Sequence, residues 1–142
     1  MLKPVAFWDS SALIPLCVAQ PQTIKAGLLY ETYGIAAWWA TEVEMMSGLT
    51  RLDRTGQIDR DRFLIGKRVA QEIVREWFSV GSTSSIAADA CSLLELYPLR
   101  AADALQLAAA FEWCEGKPNG QVFLTFDKRL REAAGLAGFT LE

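Results

Sequence analysis

The stretch Val5-Ala6-Phe7-Trp8-Asp9-Ser10-Ser11-Ala12-Leu13 decides the fold of this chain. Its first four residues form a short apolar run, and the hydrophobic positions after Asp9 recur at the spacing of a helix. The stretch therefore predicts a buried strand, a tight turn and a helix that continues to Cys17. A strand followed at once by a helix is the pattern of α/β folds.

The same alternation continues along the chain. Further apolar runs predict strands at 35–39 and 121–126, with a last candidate at 139–141. Helices are predicted from residue 10 to 17, from 21 to 33, from 41 to 55, from 58 to about 78, from about 85 to 97, from 99 to 115, and from 128 onward. Because the strands are apolar throughout, we expect a parallel sheet of four to five strands, covered by helices on both faces.

Composition indicates a soluble globular protein. The 142 residues suit one domain, 51% of them are hydrophobic and 22% are charged. Lys3, Pro4 and Asp9 interrupt the first apolar run, so we expect neither a membrane span nor a signal peptide, and a cytoplasmic location. The three cysteines are isolated and lack metal-ligand spacing, which argues against a disulfide framework or a zinc site.

The chain contains no histidine and has a net charge of −3. Ser-His-Asp and Cys-His arrangements are therefore excluded, together with every His-ligated metal site. Any catalysis has to depend on carboxylates. A polyanionic substrate would need a local basic patch or a bound cation.

Four acids stand out because their neighbours are apolar: Asp9, Glu44, Asp103 and Asp127. The first and last directly follow predicted strands, and Glu44 lies shortly after a third, so these three should meet at the carboxyl edge of the sheet. Asp103 lies instead in the first turn of a helix. Its convergence with the others is an inference that spacing does not show.

Each acid also has a purely structural explanation. Asp9 and Asp127 could cap the helices that follow them, Glu44 could form a capping box with Thr41, and Asp103 could interact with a helix dipole. Caps contribute only about 1 kcal/mol each. Two carboxylates about 4 Å apart repel by roughly 4 kcal/mol at an effective dielectric constant of 20. A cluster of these acids would therefore need a cation, and oxygen ligands suit magnesium or manganese.

Four segments of the chain resemble the PIN-domain ribonucleases, especially the bacterial VapC toxins. They are Phe7-Trp8-Asp9-Ser10-Ser11-Ala12-Leu13, Trp38-Trp39-Ala40-Thr41-Glu42-Val43-Glu44, Leu99-Arg100-Ala101-Ala102-Asp103-Ala104-Leu105-Gln106-Leu107-Ala108, and Phe123-Leu124-Thr125-Phe126-Asp127-Lys128-Arg129-Leu130. They occur in the family's order and span nearly the whole chain. The resemblance implies a single three-layer PIN domain over residues 1–142.

The resemblance also implies a site and an activity. It makes Asp9, Glu44, Asp103 and Asp127 the catalytic and metal-binding residues of a Mg²⁺-dependent endoribonuclease, possible also with Mn²⁺, and it makes Ser11 and Thr125 polar helpers. Glu42 competes with Glu44, which the family's spacing favours. Many relatives carry histidine where this chain has Gln106. The implied partners are RNA, a VapB-like antitoxin and a second copy of the chain in a homodimer.

Cations between residues 51 and 75 suggest a route for RNA, although interspersed acids make an ordinary solvated surface the better interpretation. Arg51 lies two helical turns after Glu44, which makes it the best single candidate for a phosphate contact. For Trp38 and Trp39, core packing is favoured over base stacking. Two other functions remain open, a catalytically silent PIN-like interaction module and a different carboxylate-metal phosphohydrolase.

Overall fold

The computed structural model describes residues 2–142, which form four strands and seven helices. The strands are β1 Val5–Trp8, β2 Gly34–Trp38, β3 Phe78–Val80 and β4 Phe123–Leu124. The helices are α1 Ser10–Cys17, α2 Thr23–Thr32, α3 Thr41–Arg54, α4 Arg60–Glu76, α5 Ser84–Leu96, α6 Ala101–Trp113 and α7 Lys128–Leu136.

All four strands are parallel and lie in the order β3-β2-β1-β4. β1 therefore has a neighbour on each side, and its Phe7 is in register with Ala36 of β2 and with Phe123 of β4. The predicted parallel sheet of four to five strands is confirmed, with four.

Helices cover both faces of the sheet, because successive side chains of β1 enter different cores. Phe7 packs in a core with residues of α5, α6 and α7. Ala6 and Trp8 pack on the other face with residues of α1, α3 and α4. Phe7 and Trp8 are fully buried, and burial of a large side chain contributes about 1.5–3 kcal/mol. The three-layer arrangement expected from the sequence is confirmed.

Two segments differ from the sequence prediction. The helix expected to reach Phe78 ends at Glu76, and 78–80 form β3, which pairs with β2. Pairing with β3 satisfies the backbone N–H and C=O groups along the edge of β2. This stabilises the fold more than one further turn of α4 would. The strand expected at 139–141 is reduced to a single bridge between Val122 and Thr140.

The sheet sets where the acidic residues can meet. β1 and β4 end side by side, and the amide of Asp9 donates to the carbonyl of Leu124 at 3.0 Å. α1, α3 and α7 begin just after β1, β2 and β4, so their first turns lie along the same edge. Among residues 2–142, none of the helices combines the length and the apolar character needed to cross a bilayer.

Candidate active site

Asp9 is the most buried acid of the site, with 4% of its surface exposed. It precedes α1 in an extended conformation, but its side chain makes no cap hydrogen bond to that helix. Instead, its Oδ2 accepts hydrogen bonds from Ser11 Oγ at 2.6 Å and from Thr125 Oγ1 at 2.7 Å. The capping explanation therefore fails for Asp9.

Backbone amides orient the two hydroxyls that bind Asp9. Ser11 Oγ accepts from the amide of Phe126 at 2.9 Å, and Thr125 Oγ1 accepts from the amide of Asp127 at 3.0 Å. Because each hydroxyl has a single hydrogen and already accepts from an amide, that hydrogen is free to be donated to Asp9. Ser11 and Thr125 thus both donate to Asp9, and they join the ends of β1 and β4.

The hydroxyl of Ser10 links Glu44 to Asp9. Ser10 Oγ is 3.2 Å from Glu44 Oε2 and 3.3 Å from Asp9 Oδ1, so its hydrogen serves both carboxylates. The other oxygen, Glu44 Oε1, accepts from Gln106 Nε2 at 3.1 Å. Glu42, the competing glutamate, is exposed and lines a different depression on α3 and α4.

The capping box predicted between Glu44 and Thr41 is wrong. The residue at the cap position of α3 is Ala40, and no side chain caps that helix end. Gln106 is only 1% exposed, and it contacts both of these side chains. Its Nε2 donates to Glu44 Oε1 and also to Thr41 Oγ1 at 2.7 Å. A contact between residues so far apart in the chain overrides the local motif.

Asp103 and Asp127 each accept a hydrogen bond from a backbone amide at the start of their own helix. Asp127 Oδ1 accepts from the amide of Leu130 at 2.9 Å and caps α7, as its structural explanation predicted. Asp103 Oδ2 accepts from the amide of Arg100 at 3.3 Å, at the start of α6. Both carboxylates also line one open cavity of about 380 Å³. They are half-buried, so oxygen atoms remain accessible to a ligand.

Burial raises the pKa of Asp9, of Glu44 and of Asp103. The charges of neighbouring acids add to this effect: Asp127 raises the pKa of Asp9, and Asp9 and Asp103 both raise that of Glu44. Asp127 and Asp9 likewise raise the pKa of Asp103. Hydrogen bonds from Ser11 and Thr125 counteract part of the shift at Asp9. The charges of the four acids therefore act on one another, although within residues 2–142 a shared hydrogen-bond partner links only the carboxylates of Asp9 and Glu44, through Ser10.

No cation neutralises this environment by direct pairing. In the described chain, ion pairs join Arg60 to Asp53 and Arg62 to Asp59, and none includes an acid of the site. An unpaired buried carboxylate is costly, so the arrangement favours binding of a cation from solution.

The donor set fits a partly hydrated magnesium ion. Within residues 2–142, no three acidic, cysteine or histidine side chains converge closely enough to enclose a metal. Mg²⁺ does not need such a cage, since it keeps several waters and binds through one or two carboxylates. Asp9 and Glu44, bridged by Ser10, offer such a pair of oxygen ligands. Asp103 and Asp127 can act through water.

Sequence reasoning missed several features of the site. The bridge at Ser10 and the contact from Gln106 have no local signal, because both partners come from distant segments. Arg51 lies elsewhere, on an exposed surface of α3 that it shares with Ser47 and Arg54. Trp38 is buried as expected. Core packing is wrong for the adjacent Trp39, which is 47% exposed.

Comparisons with known proteins identify the fold. No family model matches the chain, and no curated protein sequence matches it. Solved structures do match. PAE2754 from Pyrobaculum aerophilum superimposes with a TM-score of 0.68 at 17% identity, covering 97% of this chain and 89% of that one.

Two toxin structures match over most of their length. VapC20 of Mycobacterium tuberculosis, described as a toxin that cleaves the sarcin-ricin loop, gives a TM-score of 0.66 at 16% identity, with 95% of this chain and 96% of that one covered. A toxin-antitoxin complex from Klebsiella pneumoniae gives 0.63 at 18% identity, with 87% and 88% covered. The chain thus has the α/β fold of VapC-like PIN domains.

Proposed function

We propose that this protein is a Mg²⁺-dependent endoribonuclease that acts as the toxin of a toxin-antitoxin pair. The observation that carries the proposal is the linkage of the Asp9 and Glu44 carboxylates through Ser10, with no ion pair to either in residues 2–142 and with Asp103 and Asp127 near enough for their charges to act on this pair. Such a group is unfavourable in a resting fold and suits a cation-dependent reaction. The fold shared with a toxin that cleaves an RNA loop supports RNA as the substrate.

The buried pair of acids is suited to hold the ion. Ser11 and Thr125 fix the Asp9 carboxylate, and Ser10 and Gln106 fix that of Glu44. When bound, Mg²⁺ lowers the pKa of a coordinated water and offsets charge on a phosphate. Ligands held in advance by hydrogen bonds need little reorganisation when the ion binds.

Asp103 and Asp127, the more accessible pair of acids, have a different task. Asp103 and Asp127 line an open cavity, and their free carboxylate oxygens can accept hydrogen bonds from water in it. They would orient the attacking water and retain a proton that it loses. Burial raises the pKa of Asp103, while the nearby Arg100 opposes part of that shift, and a raised pKa suits a group that takes up a proton.

We also propose a VapB-like antitoxin, a homodimer and a cytoplasmic location. The fold shared with a protein from a toxin-antitoxin complex supports the first of these. Co-purification with the product of an adjacent short reading frame would test the antitoxin. Light scattering of the isolated chain would test the dimer.

The main test is cleavage of RNA with Mg²⁺, with Mn²⁺ and with EDTA. We expect wild-type cleavage with either ion and none in EDTA, and we expect large losses for Asp9→Asn and Asp103→Asn. Glu42→Gln is the matched control, since Glu42 is exposed and lies outside the site. Undiminished cleavage in EDTA, or by both aspartate variants, would overturn the proposal.

A further inference from the structure

A cluster of cations lines the same cavity as Asp103 and Asp127. Arg100 precedes α6, and Lys128 and Arg129 are the first two residues of α7. We call these three residues the basic rim. All three are exposed, whereas the two acids between them are half-buried. Positive groups therefore lie beside Asp103 and Asp127 in this cavity.

The basic rim is free to bind an anion. Within the described residues, no rim side chain makes a salt bridge or a side-chain hydrogen bond, although two carboxylates line the same cavity. Cations elsewhere are engaged: Arg60 pairs with Asp53 at 2.7 Å, and Arg131 donates to the carbonyl of Glu142 at 2.9 Å.

We propose that the basic rim binds a phosphate next to the scissile phosphate and so positions a single-stranded RNA across the acids. The inference rests on the proposed ribonuclease function. A polyanion approaching four carboxylates on a chain of net charge −3 is repelled unless positive charge lies beside its path. The rim supplies three such charges beside Asp103 and Asp127, and the planar guanidinium groups of Arg100 and Arg129 match phosphate oxygens.

The cavity has room for part of a polynucleotide. Its volume of about 380 Å³ can hold a small part of one strand. The mixed lining also separates two tasks, because carboxylates attract the metal while the adjacent cations attract the backbone. The hairpin of α3 and α4 is a weaker candidate, since two of its arginines are paired with aspartates.

The test compares two triple variants with the same change in net charge. The first carries Arg100→Gln, Lys128→Gln and Arg129→Gln. The control carries Lys25→Gln, Arg68→Gln and Arg75→Gln, which alter exposed cations outside the cavity. Cleavage of a short unstructured RNA gives kcat and KM, and binding to the Asp9→Asn background at several salt concentrations gives the slope of log K against log salt.

We expect the rim variant to raise KM about tenfold or more, with a smaller change in kcat, and to reduce the salt slope by about 0.7, since the rim contacts one phosphate and each phosphate contact on a single strand contributes about that much. Arg129→Lys should restore part of the affinity relative to Arg129→Gln. The control should match wild type.

The two proposals fail in different ways. If wild type cleaves RNA but the rim and control variants have equal KM and equal slopes, the rim inference is wrong and the ribonuclease proposal stands. If wild type binds RNA with a rim-dependent slope but does not cleave it with any divalent ion, the ribonuclease proposal is wrong. If wild type does not bind RNA at all, both are wrong.

Discussion

The inner and outer halves of the acidic site are built differently. In the inner half, Asp9 and Glu44 are held by side-chain hydroxyl and amide donors, of which Thr125 and Gln106 come from distant parts of the chain. In the outer half, Asp103 and Asp127 accept from backbone amides of their own helices and face an open cavity with cations.

The difference separates rigidity from access. Side chains of the inner half have little freedom, which suits ligands that must hold an ion at fixed geometry. The outer half leaves room for a phosphate and a water. Variants of the two halves should therefore lose cleavage activity to different extents.

The largest effect should come from removing the charge of the inner half. We expect Asp9→Asn to lower kcat at least about a hundredfold, because the ion loses its most firmly held ligand and metal catalysis contributes several kcal/mol. Asp127→Asn should cost about tenfold, since an amide can still cap α7. Single-turnover RNA cleavage at saturating Mg²⁺ measures both. Equal losses would contradict the distinction between the halves.

A smaller loss of cleavage activity should follow when Glu44 loses its hydrogen bond from Gln106. Gln106→Leu removes the donor to Glu44 Oε1, and we expect a ten- to hundredfold loss of cleavage. The free energy of unfolding should fall by about 1–2 kcal/mol, because the buried Thr41 Oγ1 loses its donor, while removal of the unpartnered buried Oε1 of Gln106 offsets part of that loss. Gln71→Leu, on the exposed face of α4, is the control. A melting temperature that falls in step with activity would indicate a merely structural role.

The inner half should destabilise the metal-free protein. Burial raises the pKa of Asp9 above its ordinary value of 3.8, so the folded chain binds this proton more tightly than the unfolded chain does. Stability in EDTA should therefore fall as pH rises above about 4 and through the folded pKa. Asp9→Asn should raise the melting temperature at pH 7 by about 3 °C, since its amide oxygen still accepts from Ser11 and Thr125.

Thermal unfolding in EDTA between pH 5 and pH 8 measures this effect, and Mg²⁺ should reduce the difference between the two proteins. A lower melting temperature for Asp9→Asn in EDTA would show that the carboxylate is stabilising without a metal.

The smallest effect should come from Arg51, outside both halves. It lies two turns along α3 from Glu44, about 10 Å away. We expect Arg51→Ala to change KM less than twofold, and Arg100→Ala to change it severalfold. Steady-state cleavage at low salt measures both. A larger effect of Arg51→Ala would move the RNA path from the basic rim to α3.

The sequence sufficed for most of the fold because apolar strands and helix spacing are local signals. β1 and α1 were predictable from residues 5–17 alone. β3 was not, because its three residues directly follow a long helix and become a strand only by pairing with β2. The site shows the same division. The position of Asp9 at a strand end was predictable, but the Gln106 contact and the basic rim arise from how α6 and α7 pack.

The central position of β1 has a consequence for synthesis. β1 is made first, yet one of its two neighbours, β4, and the Thr125 hydroxyl that binds Asp9 come more than a hundred residues later. Contacts so distant in sequence form late, and a chain emerges from its N-terminal end. The acids can meet only after residue 127 has left the ribosome, so the proposed nuclease site cannot form on shorter nascent chains.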